Sequence, residues 1–101
     1  MFQRVVCFKF KEGTDKSLIQ QHMDSFAKLE REISCITSYR GGQAVSGDHG
    51  KPAEYDAMHY LTFQTMEDID EYFHHPAHKV FIQENKEIWD RVFVLNSSVD
   101  V

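Results

Sequence analysis

The segment EYFHHPAHK, residues 71–79, gathers three histidines around a proline, and two chemistries compete for such a cluster. His74 and His78 are four residues apart, the spacing at which two imidazoles of one helix share a zinc ion. Pro76 stands between them. Proline cannot continue a helix but suits the first position of a new one, so the two histidines fall on different helices and share no face. HHPAH also lacks the glutamate of the H-E-x-x-H pattern, and His22, His49 and His59 are scattered along the chain. No metal is expected. Proton transfer is the other reading. On a helical wheel of the residues after Pro76, Ala77, Val80, Phe81, Ile82, Ile88 and Trp89 form a broad apolar arc, and His78 falls inside it. The positive end of the helix dipole there favours neutral imidazole, and a neutral inward histidine is a general base near pH 7. The competing role for His78 is a hydrogen bond to a backbone carbonyl that fixes the corner between two helices. Tyr72, on a buried stripe with Ile69, divides in the same way: its hydroxyl either orients a ligand or reaches the surface. His75 reads as a corner residue near the N-cap, and His74 as solvated.

The elements that carry these side chains are legible from periodicity. FQRVVCFKFK (2–11) alternates as a strand, with Phe2, Arg4, Val6, Phe8 and Phe10 on one face. EGT (12–14) is a turn that ends in Thr14, a good N-cap. From Asp15 to about Ile33, Ile19, Met23, Phe26, Leu29 and Ile33 recur at helical spacing, with His22 beside them. CITSYRGGQAVS (35–46) is a weaker strand whose Gly41 and Gly42 suggest a bulge. GDHGKPAE (47–54) is a loop, and YDAMHYLTF (55–63) a strong strand. Thr65 opens the next helix with a capping-box pattern, TMED, and Met66, Ile69, Tyr72 and Phe73 form its expected buried side. A further helix runs from Ala77 to about Asp90, and RVFVLNSSV (91–99) closes the chain as a strand. The order β-α-β-β-α-α-β is the ferredoxin-like α+β plan, with a four-stranded antiparallel sheet and one extra helix.

The whole chain, 1–101, is short enough for one domain. Its net charge of −5 disfavours nucleic acid and anionic membranes as partners, and no basic patch argues otherwise. Arg4, Lys9 and Lys11 interrupt the apolar start, so neither a signal sequence nor a membrane span is expected. Cys7 and Cys35 read as buried thiols in a reducing compartment, which points to the cytoplasm. Eight phenylalanines in 101 residues need more shelter than one thin layer offers. Val5 and Cys7 oppose Val6 and Phe8, and Val92 and Val94 oppose Phe93 and Leu95, so both faces of these strands are apolar. A sheet with helices on one face only must then bury the other, and a second copy of the same sheet is the simplest cover. The expected partner is therefore a homodimer mate, docked through the open sheet face.

FKFKEGT at the end of the first strand, YDAMHYLTF in the third and YFHHPAHKVF at the helix corner together resemble the stress-responsive A/B barrel domain (Dabb) family. HPAH (75–78) is the most specific part of the likeness, which covers nearly the whole chain. The resemblance implies a dimeric α/β barrel. One member type is a cofactor-free polyketide cyclase in which a tyrosine and the last histidine of the corner motif carry an aldol-type ring closure. Those positions match Tyr72 and His78, which the resemblance makes the catalytic candidates. Two further histidines of the cyclase match Arg4 and Ala57 here, so half of its polar constellation is missing. His59, on the same strand face as Ala57, can supply an imidazole to the same cavity. Arg4, if buried, wants an anion, which is either a substrate carboxylate or an Asp or Glu of this chain.

The expected protein is thus a small dimeric barrel with a ligand pocket between sheet and helices, lined by Arg4, His59, Phe81 and Trp89. The alternative is a cofactor-free cyclase or lyase acting on a small carbonyl compound. No cofactor is expected in either case.

Overall fold

The computed structural model describes residues 1–100. Strand β1 (Phe2–Phe10) leads into helix α1 (Lys16–Glu32), followed by β2 (Ser38–Gln43) and β3 (Ala57–Phe63). Helices α2 (Met66–His74) and α3 (Pro76–Asn85) come next, and a single 3-10 turn (Lys86–Ile88) leads into β4 (Trp89–Ser98). The strands form one antiparallel sheet in the order β2-β3-β1-β4, and the helices lie on one face of it. This is the ferredoxin-like α+β plan.

β1 is interior, hydrogen-bonded to β3 on one side and β4 on the other, and its alternation sorts the layers. Arg4, Val6, Phe8 and Phe10 are buried under the helices with Leu61, Phe63, Phe26, Leu29 and Ile33. Val5 and Cys7 face the other way. There, two cross-strand rows form, Met58–Cys7–Phe93 and Tyr60–Val5–Leu95, with Met58 and Leu95 54% and 57% exposed.

Several local expectations are corrected. Asp15, not Thr14, caps α1: its carboxylate accepts from the Ser17 N–H at 2.8 Å, while the Thr14 hydroxyl turns back to the Lys11 carbonyl. Asp15→Ala should cost about 1 kcal/mol in a denaturant titration, and Thr14→Ala much less. The core stripe of α1 is His22, Phe26 and Leu29, with Ile19 and Met23 only partly buried. β2 is shorter than its apolar run, and Gly41 and Gly42 make no bulge. The β2–β3 register runs unbroken, and the irregularity lies between Lys9 and Phe10 against β4. α3 stops at Asn85, and Trp89 pairs with Phe10 as the first residue of β4, so strand pairing overrides the helical periodicity of Ile88 and Trp89. Met66 and Phe73 are exposed, because the buried edge of α2 is the one carrying Ile69 and Tyr72. Cys7 and Cys35 are unpaired thiols, half-buried instead of fully so.

Candidate functional site

His75 ends α2 and starts α3. Its φ of −62° and ψ of 138° break the helical path, and its Nδ1 accepts from the Ala77 N–H at 3.0 Å. Pro76 then opens α3 where no backbone N–H is missed. This corner directs His78 back over the sheet, against Tyr72 (ring centroids 4.6 Å apart) and alongside Phe81. His74 turns outward, its Nδ1 on the Asp70 carbonyl.

Between β1, β4 and the helices lies a cavity of about 140 Å³ whose polar lining is Arg4, Tyr72 and His78. Phe81 and Trp89 supply aromatic wall. Val92 and Val94, on the stretch of β4 that no helix covers, are half exposed at its edge. The volume is close to the ~150 Å³ of a protein cavity that admits benzene.

Burial holds the His78 imidazole below its ordinary pKa, and the Arg4 charge acts in the same direction against the opposing bond to Phe73. The ring is therefore neutral near pH 7. Its Nδ1 lies 3.0 Å from the Phe73 carbonyl oxygen, which can only accept. Nδ1 thus carries the hydrogen, and Nε2 is left with a free lone pair on a ring that lines the cavity. The backbone bond and the base-ready nitrogen, set against each other above, coexist. Tyr72 is fully buried, and burial pushes its phenol up to about 12 despite the nearby Arg4 charge, so it remains a donor.

Arg4 is 8% exposed, and its guanidinium sits 5.5 Å from the Tyr72 ring centroid. Nη1 donates to Asn96 Oδ1 at 3.0 Å. Among the described residues no carboxylate pairs with it, and its Nε is buried without any hydrogen-bond partner. The expectation of an Asp or Glu partner within the chain is not met among these residues.

His59 does not reach the cavity. It is 0% exposed and stacks face to face on Phe26 at 3.8 Å, with Phe8 against its edge, and both phenylalanines stand between it and the cavity. Its nitrogens are used elsewhere: Nε2 lies 3.0 Å from His22 Nε2, and Nδ1 lies 2.8 Å from the Tyr39 hydroxyl. His22 Nδ1 accepts from the Trp89 indole N–H at 3.0 Å. The indole can only donate, so the whole chain has a direction. His22 carries its hydrogen on Nε2 and donates to His59 Nε2, and His59 donates from Nδ1 to Tyr39. Burial lowers His22 to about 4, and burial together with His22 lowers His59 to about 3.

His22, Tyr39 and Asn96 were not among the expected site residues. For His22 a signal existed, since it precedes Phe26, Leu29 and Ile33 by 4, 7 and 11 positions on one helical face. Tyr39 and Asn96 become visible only once strand register is known. Among the described residues no group of three His, Cys, Asp or Glu side chains is arranged to hold a metal ion.

With this sheet, corner motif and polar-lined cavity in place, the chain can be set beside known proteins. The family description "Stress Responsive A/B Barrel Domain" (Dabb) matches residues 2–99, and the chain belongs to that family. A comparison with curated proteins found no match. Among solved structures, an Arabidopsis thaliana protein (At3g17210) is 26% identical over 100% of both chains, with a TM-score of 0.83. The hydroxynitrile lyase of Passiflora edulis is 17% identical over 98% of this chain and 93% of its own, with a TM-score of 0.86. A dimeric ferredoxin-like protein of unknown function from Thermobifida fusca is 14% identical over 97% and 90%, with a TM-score of 0.83. The latter two share the fold alone. No helix among the described residues is long and apolar enough to cross a membrane.

Proposed function

We propose that this protein is a homodimer, closed through the open sheet face, whose protomers each bind a small organic molecule between sheet and helices. The convergence of Arg4, Tyr72 and His78 in an otherwise apolar cavity carries this reading, because a few placed polar groups in an apolar pocket are what orients a ligand. The apolar rows through Met58 and Leu95 support the dimer, as does the description of several structural neighbours as dimeric. A bound ligand at about a hundred times its dissociation constant adds roughly 2.7 kcal/mol, several degrees in melting temperature for a chain of this size. A screen of small aldehydes, ketones and acids should therefore find compounds that raise the melting temperature of wild type but not of His78→Ala. Light scattering should give twice the chain mass, falling to one for Leu95→Glu. Silence across the screen, or a monomeric wild type, refutes the corresponding half of the reading.

A second reading, a cofactor-free cyclase or lyase, is favoured by the His78 tautomer. His78 Nε2 would remove a proton from the carbon beside a carbonyl whose oxygen accepts the Tyr72 hydroxyl. The enolate would attack a second carbonyl of the same molecule, and the proton would return from the imidazolium to the new alkoxide. A hydroxynitrile lyase built on this fold is a precedent for lyase chemistry on such a sheet. Turnover of a bound carbonyl compound by wild type, measured directly as product formation, distinguishes this reading from binding alone.

A further inference from the structure

Arg4 poses the sharpest unsolved problem in the molecule. A guanidinium cannot lose its charge in a protein, and a buried charge without a compensating anion is costly. Yet its polar neighbours are both neutral: the Asn96 amide oxygen, which Nη1 meets, and the Tyr72 hydroxyl. Nε is buried without a partner, and with Nη2 it forms one edge of the planar guanidinium. That edge takes both oxygens of a carboxylate in parallel, a geometry lysine cannot reproduce.

The groups around the cavity do not supply the missing anion. Tyr72 stays a neutral phenol, and His78 is neutral or cationic but never negative. The remaining lining is apolar, including Val6, Phe8, Phe81 and Trp89. The cavity therefore combines one fixed positive charge with greasy walls and a volume near 140 Å³. Inorganic phosphate suits this poorly, since its several oxygens would meet one arginine edge and hydrocarbon. A carboxylate on a compact apolar body satisfies both features.

We infer that the ligand of this cavity is a small monocarboxylic acid, its carboxylate anchored on the Nε–Nη2 edge of Arg4 and its apolar body against Phe81 and Trp89. The inference rests on the reading of the cavity as the ligand site and adds the charge of what enters it. Arg4 acts here as a binding and specificity residue. An acid and its neutral counterpart of the same shape are separated by this one contact.

The test is calorimetric titration of the intact protein at pH 7.5 with two matched pairs: benzoate against benzamide, and 3-methylbutanoate against 3-methylbutanamide. Wild type should bind at least one acid and prefer it to its amide. Arg4→Met should weaken the acid roughly ten- to a hundredfold, the range for losing a charge-assisted contact, with the amide unchanged within about twofold. If Arg4→Met fails to fold, Arg4→Lys keeps the charge without the fork and should still weaken the acid about tenfold. Val94→Trp, at the half-exposed cavity edge, should abolish binding of both series. Acids and amides bound equally, indifferent to Arg4 and both blocked by Val94→Trp, would overturn the carboxylate anchor and leave the cavity reading intact. Heat from neither series overturns both.

Discussion

Between pH 7.5 and pH 5 the protein is expected to lose roughly 4 kcal/mol of stability, about 2 kcal/mol for each of His22 and His59. Both are neutral in the folded state, held far below the ordinary 6.5 by burial, and His59 further by its neighbour. In the unfolded chain both titrate normally. At these two sites, as pH falls through 6.5, the unfolded chain takes up protons that the folded protein refuses. The stabilisation they give above 6.5 is therefore withdrawn progressively toward their folded values of about 4 and about 3. Hydrogen-bond direction explains the refusal as well as burial does. A proton on His22 Nδ1 would face the Trp89 N–H, and one on His59 Nε2 would face the His22 N–H. The other rings against His22 are Phe8, Phe10, Phe26 and Phe81, none of which can compensate a charge. Against a typical total of 5–15 kcal/mol this loss is large. Urea titrations at pH 7.5, 6 and 5 measure it directly. His22→Gln should be less stable at pH 7.5 but lose only about half as much on acidification. A wild type equally stable at pH 7.5 and pH 5 would refute the neutral pair.

The second large effect is expected at an apparently innocuous position. A methyl group added at Gly41 would run into the Tyr39 hydroxyl and ring and into His59 Nδ1. Gly41 has an ordinary strand backbone; what it lacks is a side chain, and the space so left is where the Tyr39 ring lies to reach His59. Gly41→Ala must push Tyr39 aside. Overpacking then adds about 1–3 kcal/mol, and the buried His59 N–H left without its acceptor a further ~1–3 kcal/mol. The neighbouring Gly42 has open space around it, so Gly42→Ala is the control and should be nearly neutral. A double-mutant cycle separates the two contributions. With Tyr39→Phe already in place, the hydrogen bond is gone and Gly41→Ala should cost measurably less. Equal losses in both backgrounds would show that the clash is relieved without disturbing His59.

Periodicity sufficed for the sheet, for the α2–α3 corner at Pro76 and for the inward placement of Tyr72 and His78. Each depends on neighbours within one or two helical turns or on strict alternation along a strand. What stayed hidden depends on partners far apart in sequence. Arg4 meets Asn96 because those residues pair across β1 and β4, and His59 of β3 meets His22 of α1 across 37 positions of sequence. Glycine at 41 reads locally as a bulge, whereas its cause is a tyrosine two residues earlier on the same face. Trp89 reads as helical because its neighbours have helical spacing, while the bond from Lys11 N–H to the Ile88 carbonyl already commits the segment to the sheet. The face of His59 was legible, but not that its two nitrogens were already engaged.

Trp89 is the only tryptophan in the chain, and it stands with its ring in the cavity wall and its N–H on His22. Its ultraviolet emission is therefore a reporter already wired to both halves of the interior. A molecule entering the cavity changes the polarity against the indole face, while protonation of His22 removes the acceptor from the indole N–H and brings a quenching imidazolium beside it. Occupancy and acid opening can thus be followed by light from an unlabelled protein, as separate changes in one spectrum.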